Sequence, residues 1–421
     1  MNAVVEITAG EARLAAKSDQ QRSAAAGLVL EAASSTANAP VPRLATGFGE
    51  FDRVLGGGLP PAATILLGGE PGIGKSTLLA QATGLIGSQH PALYVTAEES
   101  VDQVRRRLER CGVVGVHLEL SGSNDAAAIA GAIRAGKHRL VVVDSVQLIS
   151  LSTIEGEPGG PSQVRAAAAT LVEAAKASGT ALVLVGHVTK DGGLAGPRLL
   201  EHLVDCVLAF EGDRYADLRT LRAVKNRFGS TSEIGLFRMG SQGLEEVADP
   251  AGMFIADRDA AAPGTCVVPV VEGNRCMLVE VQALVNPTQA PQPQRRVSGL
   301  DTNRAAMVLA VLARRLRFSL ANCDVFLNVT GGVRVAEPAA DLGIALAVAS
   351  ALREIAVPAD LVAVGEVGLA GELRPVPRYE LRAAEARRLG FKRLIGPGAG
   401  QGRGRVVCAR LDEAVTQALG G

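Results

Sequence analysis

The chain has no tryptophan and few aromatic residues of any kind, 3% of its 421 positions. That leaves little material for extensive base stacking. Neither sign of charge is in excess: Lys plus Arg and Asp plus Glu number 43 each, so any nucleic-acid surface must come from local clustering of cations. The six cysteines, at 111, 206, 266, 276, 323 and 408, include no C-x-x-C pair and no histidine at metal-ligand spacing. They indicate neither a zinc site nor a disulfide framework and read as reduced thiols. No apolar run approaches the ~20 residues of a membrane span, and no charged-then-apolar leader opens the chain. A soluble cytoplasmic protein without a membrane partner is expected.

What is present is length and apolar content. At 421 residues the chain exceeds what one core usually serves, and 48% hydrophobic residues can fill two. Residues 1–42 are rich in Ala, Ser and Gln, end at Pro40 and Pro42, and read as a flexible N-terminal tail.

The stretch Gly69, Glu70, Pro71, Gly72, Ile73, Gly74, Lys75, Ser76 satisfies every fixed position of G-x-x-x-x-G-K-[ST]. It follows an apolar run of strand length, 63–67, and precedes a helical pattern opening at Thr77. A loop that wraps polyphosphate must turn its N–H groups inward, which glycine allows at positive φ, and a helix N-terminus adds its dipole. Lys75 is expected to reach the β and γ oxygens of ATP, and Ser76 to take one position on Mg²⁺.

Further apolar runs at 92–96, 140–143, 181–185 and 204–210 alternate with segments of helical composition at 100–112, 124–136 and 163–178. Continuous rather than alternating runs suit strands buried on both faces, hence a parallel α/β sheet with crossover helices. Ligands of such sheets gather where strands end, and polar residues stand there: Glu98 and Glu99 after the second run, Asp144 after the third, His187 and Lys190 after the fourth. Asp144 is the expected Mg²⁺ partner, and either Glu98 or Glu99 could serve as general base. Glycine-rich segments at 150–164 and 189–198 follow strands, with Lys190, Arg198 and Arg165 as candidate contacts to a DNA backbone. Lys225 and Arg227, two apart on a strand that ends in Gly229, share a side. Such a pair is often a solvated edge, but beside a phosphate loop it can also enter a neighbour's active site.

The segments 68–77, 94–100, 143–147, 186–190 and the Lys-Asn-Arg-Phe-Gly of 225–229, taken together, resemble the bacterial RadA (Sms) family, from about residue 43 to the end. The resemblance implies a RecA-like P-loop ATPase core, assigned to 43–259, that forms ring-shaped hexamers. It also implies binding to single-stranded and branched DNA, branch migration at recombination intermediates and work beside a RecA-type recombinase. Glu98 matches the water-activating glutamate, and Lys225 and Arg227 would act in trans. Residues 260–421 are similar to the proteolytic domain of Lon, an α+β unit, but Ala339 stands at the serine position and Arg382 near the lysine position. A peptidase-inactive domain is therefore expected, with Arg314, Arg315 and Arg317 as possible basic surface. Family members usually begin with a four-cysteine zinc finger. Residues 1–42 hold no cysteine, so zinc is not carried over. The rival readings are a KaiC-like nucleotide-gated signalling ATPase and an ATP-dependent protease, the latter disfavoured by Ala339 and Arg382.

Overall fold

In a computed structural model of the chain, the strand that feeds the phosphate loop, Thr64–Gly69 (β1), lies inside a nine-stranded sheet. The structure describes residues 42–157, 159–187, 198–212, 218–247, 249, 252, 254–255, 259, 261–398 and 404–420. The expected tail therefore lies almost wholly outside the described residues.

The sheet continues with β2 (Ala92–Thr96), β3 (Leu118–Ser121), β4 (Leu140–Asp144), β5 (Ala181–His187) and β6 (Cys206–Glu211), in spatial order β3-β2-β4-β5-β1-β6. These six are parallel. β7 (Leu218–Asn226), β8 (Ile234–Gly240) and β9 (Gly243–Glu246) extend it antiparallel from β6. The parallel strands are covered on both faces, as their continuous apolar runs require. One face packs on α1 (Gly49–Leu55), α2 (Lys75–Gly87) and α3 (Val101–Arg110). The other packs on α4 (Ala126–Arg134) and α5 (Pro161–Ser178), with the short α6 (Arg198–Glu201) beside them. This is the α/β class expected from the alternating pattern.

A second sheet has the order β12-β13-β11-β10-β14-β17-β18. Its strands are β10 (Thr265–Glu272), β11 (Arg275–Pro287), β12 (Arg295–Ser298), β13 (Cys323–Val329), β14 (Leu361–Ala363), β17 (Arg393–Gly396) and β18 (Arg405–Val407), while β15 (Glu366–Val367) and β16 (Leu373–Arg374) form a separate ribbon. Helices α7 (Thr302–Arg315), α8 (Asp341–Arg353) and α10 (Leu411–Leu419) pack on one face, and α9 (Tyr379–Arg388) on the other. α8 is buried from Asp341 to Ser350, consistent with its apolar composition on every side. Its first residue, Asp341, is held by the Arg304 Nε at 3.0 Å.

The would-be protease positions are occupied by packing. Ala339 is buried and supplies only a carbonyl, which accepts from Gly365 N at 3.0 Å. The Arg382 guanidinium is buried in a bidentate pair with Glu337 (2.8 and 2.6 Å) and also donates to Pro269 O. Neither residue offers a nucleophile or a base. Arg314, Arg315 and Arg317 are exposed.

Glu50 of α1 ties the two sheets together. Its carboxylate accepts both Arg275 amino groups at 2.6 and 2.7 Å and Leu236 N at 3.0 Å, with 4% of the Glu50 side chain and 11% of the Arg275 side chain exposed. Removing one partner strands the other charge away from water. Glu50→Gln is expected to destabilise the fold by about 3–5 kcal/mol, read as a lower thermal midpoint, and an unchanged midpoint would contradict the pairing.

Candidate nucleotide site

The loop leaves β1 at Gly69, where a Cβ would collide with Phe210 O of β6, so only glycine permits that approach. Gly72 (φ 78°) and Gly74 (φ 115°) take the left-handed turns that face successive amides inward. α2 begins at Lys75, and no side chain caps its N-terminus. Its first amides are therefore not satisfied by a protein cap, the arrangement that accepts an anion. Ile73 anchors the loop in the core, 1% exposed.

Lys75 is buried, and its Nζ donates to Gly69 O and Glu70 O at 2.9 Å each. Burial pushes this ammonium below the usual lysine range, a push that the charges of Asp144 and Glu98 oppose. The three side chains thus act on one another at the carboxyl ends of β1, β2 and β4. Asp144, buried at the end of β4, accepts the Tyr94 hydroxyl at 2.6 Å through Oδ2; its Oδ1 has no hydrogen-bond partner among the described residues. Desolvation and the Asp144 charge push the Tyr94 phenol well above its ordinary pKa, so it remains a donor. Ser76 and Thr77 follow Lys75 in the first turn of α2, half-buried.

The two glutamates, indistinguishable by spacing, have different surroundings. Glu99 Oε1 accepts from Arg107 Nη2 of α3 at 2.6 Å. Glu98 is exposed, and its Oε1 accepts from Ser145 Oγ at 2.6 Å, beside Asp144.

Lys225 and Arg227 stand elsewhere. Lys225 Nζ donates to Glu201 O and Val204 O at 2.7 and 2.8 Å, and Arg227 Nη1 reaches Asp205 Oδ1 at 3.2 Å. Asp205 in turn accepts the Thr64 hydroxyl at 2.6 Å. Thr64 opens β1 and Gly69 closes it, so the pair lies at the opposite end of the sheet from its own phosphate loop, about 17 Å away at the rise of a parallel strand. A register shift between Val207 and Leu208 falls beside Lys225 and turns Val224 out to solvent.

Of the candidate DNA contacts, Arg165 is exposed on α5, Arg198 opens α6 with its side chain outside the described residues, and Lys190 lies outside them altogether. The first glycine-rich segment is fastened to α5 by the buried Gln163, which accepts from Leu151 N at 2.9 Å and donates to Ile154 O. Both amide atoms of Gln147 are buried without a hydrogen-bond partner among the described residues.

Three features fit the loop to a nucleoside polyphosphate: the buried Lys75 held only on carbonyl oxygens, the uncapped α2 amides, and glycines where a Cβ or a negative φ would close the nest. Asp144 and Ser76 suit a divalent cation bound to it. Among the described residues no three His, Cys, Asp or Glu side chains converge as a metal site of their own.

A parallel sheet with this loop at the end of one of its inner strands defines a P-loop ATPase. An AAA domain family model matches residues 40–193, and the model for subunit ChlI of Mg-chelatase matches 303–399. The chain is 46% identical to the DNA repair protein RadA of Bacillus subtilis, over 90% of this chain and 85% of that protein. It is 50% identical to RadA of Pseudomonas aeruginosa, over 85% and 79%. Against RadA of Mycolicibacterium smegmatis it is 49% identical, over 84% and 76%. The chain belongs to the RadA family of DNA repair proteins. Among solved structures, the RadB recombinase aligns with TM-score 0.39 and 22% identity, over 48% of this chain and 99% of that one. A KaiC-like protein of Pyrococcus horikoshii aligns with TM-score 0.41 and 22% identity, over 49% and 100%. Both likenesses are too distant to bear on function. The RadA relatives do not favour the signalling alternative.

Proposed function

We propose that the chain is a DNA-stimulated ATPase that assembles into a ring, a hexamer on the family pattern. It binds single-stranded and branched DNA in the cytoplasm and drives branch migration beside a RecA-type recombinase. The observation that supports this reading is the position of Lys225 and Arg227, too far from their own phosphate loop to serve it, as cations lent to a neighbour's loop would be.

Residues 69–77 hold the phosphates, and Lys75 gives them its charge. Ser76 and Asp144 would hold Mg²⁺, which would supply charge neutralisation of the phosphates. Glu98, steadied by Ser145, orients and deprotonates the attacking water. Arg165, Lys190 and Arg198 meet the DNA backbone through the segments after β4 and β5. The second sheet, assigned with 260–421 to a peptidase-inactive domain, supports the ring.

The test is hydrolysis measured against added single-stranded DNA, with negative-stain imaging of the assembly. Lys75→Ala is expected to abolish stimulated hydrolysis, and normal turnover in that variant would refute the loop assignment. DNA affinity is expected to fall steeply with salt; no binding at low salt would return the reading to a protein-directed ATPase.

The lowered Lys75 pKa supplies a pH signature. A bound polyphosphate restores the ammonium, so binding takes up a proton once pH exceeds the lowered value. ADP affinity is expected to fall as pH rises through the lowered Lys75 value, before an ordinary lysine titrates. Calorimetry in buffers of different ionisation enthalpy reads the uptake directly.

A further inference from the structure

Arg219 has no part in the roles above, yet it touches the phosphate loop. It is 7% exposed, and its Nε donates to Ile73 O at 3.1 Å while Nη1 donates to Leu218 O at 2.9 Å. Ile73 lies between the two left-handed glycines, Gly72 and Gly74. A trans peptide unit is planar, with its C=O and N–H pointing opposite ways. Holding Ile73 O on the outer side of the loop therefore turns the Gly74 N–H toward the inner side, where phosphate oxygens are placed. Space for the guanidinium comes from Gly212, where a Cβ would lie 2.7 Å from both Arg219 Cδ and Leu218 O.

The strand that carries Arg219 also carries Lys225, and Arg227 follows one residue past its end. β7 runs antiparallel to β6, with Thr220 level with Glu211 and Asn226 level with Cys206. Arg219 is thus at the loop end of the sheet, and Lys225 is six residues on; the register shift at Val207 and Leu208 absorbs one of them, which leaves about 17 Å at the rise of a strand. Between them Leu221 and Ala223 are buried in the same core as Ile73, so the strand is packed along its length.

We infer that Arg219 is a positioning residue: it presets the phosphate loop for an incoming polyphosphate and ties that loop to the strand end presenting Lys225 and Arg227. The link to the neighbour rests on the trans reading above, whereas the preset of the loop does not.

The test uses the full chain with Arg219→Gln, Arg219→Lys as the conservative variant, and Gly212→Ala as an independent way to displace the guanidinium. A fluorescent ADP analogue reads the loop. Arg219→Gln is expected to weaken its binding about tenfold or more, the factor one charge-assisted hydrogen bond is worth, with partial recovery in Arg219→Lys. Hydrogen exchange reads the link. ADP is expected to slow exchange of amides 224–229 in the wild type, and saturating ADP to leave them unchanged in Arg219→Gln. Unaltered analogue affinity in both Arg219→Gln and Gly212→Ala overturns the preset. Weakened affinity with an intact exchange response in Arg219→Gln, or no response in the wild type, overturns the link. If Arg219→Gln fails to fold, the same two readings are taken on Arg219→Lys and Gly212→Ala. Subunit mixing decides the trans reading separately, so a failure there is told apart from a failure of the preset.

Discussion

Alanine at Lys225 or Arg227 is expected to lower ATP hydrolysis by about 10³ to 10⁵, the range for cations lent to phosphoryl transfer, while nucleotide affinity stays near wild type. Binding is spared because both side chains lie beyond reach of their own loop. Their present partners hold them lightly. Arg227 is 61% exposed and its pair with Asp205 is solvated on that side, a kind of contact that contributes little to stability and exchanges readily for phosphate. Lys225 rests on two backbone carbonyls, neither of which opposes its charge with a full anion. Mixing Lys225→Ala with Lys75→Ala subunits is the decisive measurement. A hybrid interface joins an intact loop from the first to intact cations from the second, so activity is expected to return in part as the ratio approaches equality. No recovery at any ratio would end the trans reading. Arg227→Ala guards against a merely structural effect of Lys225, since losing a largely solvated side chain leaves the core unchanged.

The central sheet was legible because burial on both faces forces apolar runs into a strand, and the runs at 92–96, 140–143 and 181–185 coincide with β2, β4 and β5 within two residues. β3 escaped notice for the converse reason. It is a four-residue edge strand, Leu118–Ser121, half exposed and alternating with Glu119, and its pairing comes from β2 alone. The phosphate loop was legible because its chemistry is local: eight consecutive residues contain both the backbone turns and the charge. Tyr94 on Asp144, Arg107 on Glu99 and Arg275 on Glu50 were not, since each joins residues 8 to 225 positions apart and no periodicity encodes such a pair. Arg219 did leave a trace. In the β7 stretch the buried phase runs 219, 221, 223, and an arginine in a phase otherwise held by Leu221 and Ala223 signals a buried charge with a dedicated partner. The register shift at Val207 and Leu208 left none, because two cations at i and i+2 read the same in a regular strand and a bulged one.

Glu98→Gln and Glu99→Gln, isosteric and adjacent, are expected to part company. General-base assistance contributes about 10² to 10⁴, so Glu98→Gln is expected to lose that much in turnover while still binding ATP, since the amide keeps the shape and the Ser145 contact but not the basicity. Glu99→Gln removes the charge facing Arg107, whose guanidinium then stands half-paired against Tyr94 and Asp144. Its expected result is a lower thermal midpoint with turnover within a few-fold of wild type. The physical basis is orientation. A base must reach a water in line with the γ-phosphate, and Glu98 stands beside Ser145 and Asp144 at the strand end, whereas the Glu99 carboxylate is turned to the flank of α3. Pre-steady-state measurement separates chemistry from product release: the Glu98→Gln variant is expected to lose the hydrolytic step itself. Retention of that step, with its loss in Glu99→Gln, would transfer the role to Glu99 and require the Arg107 pair to break during turnover.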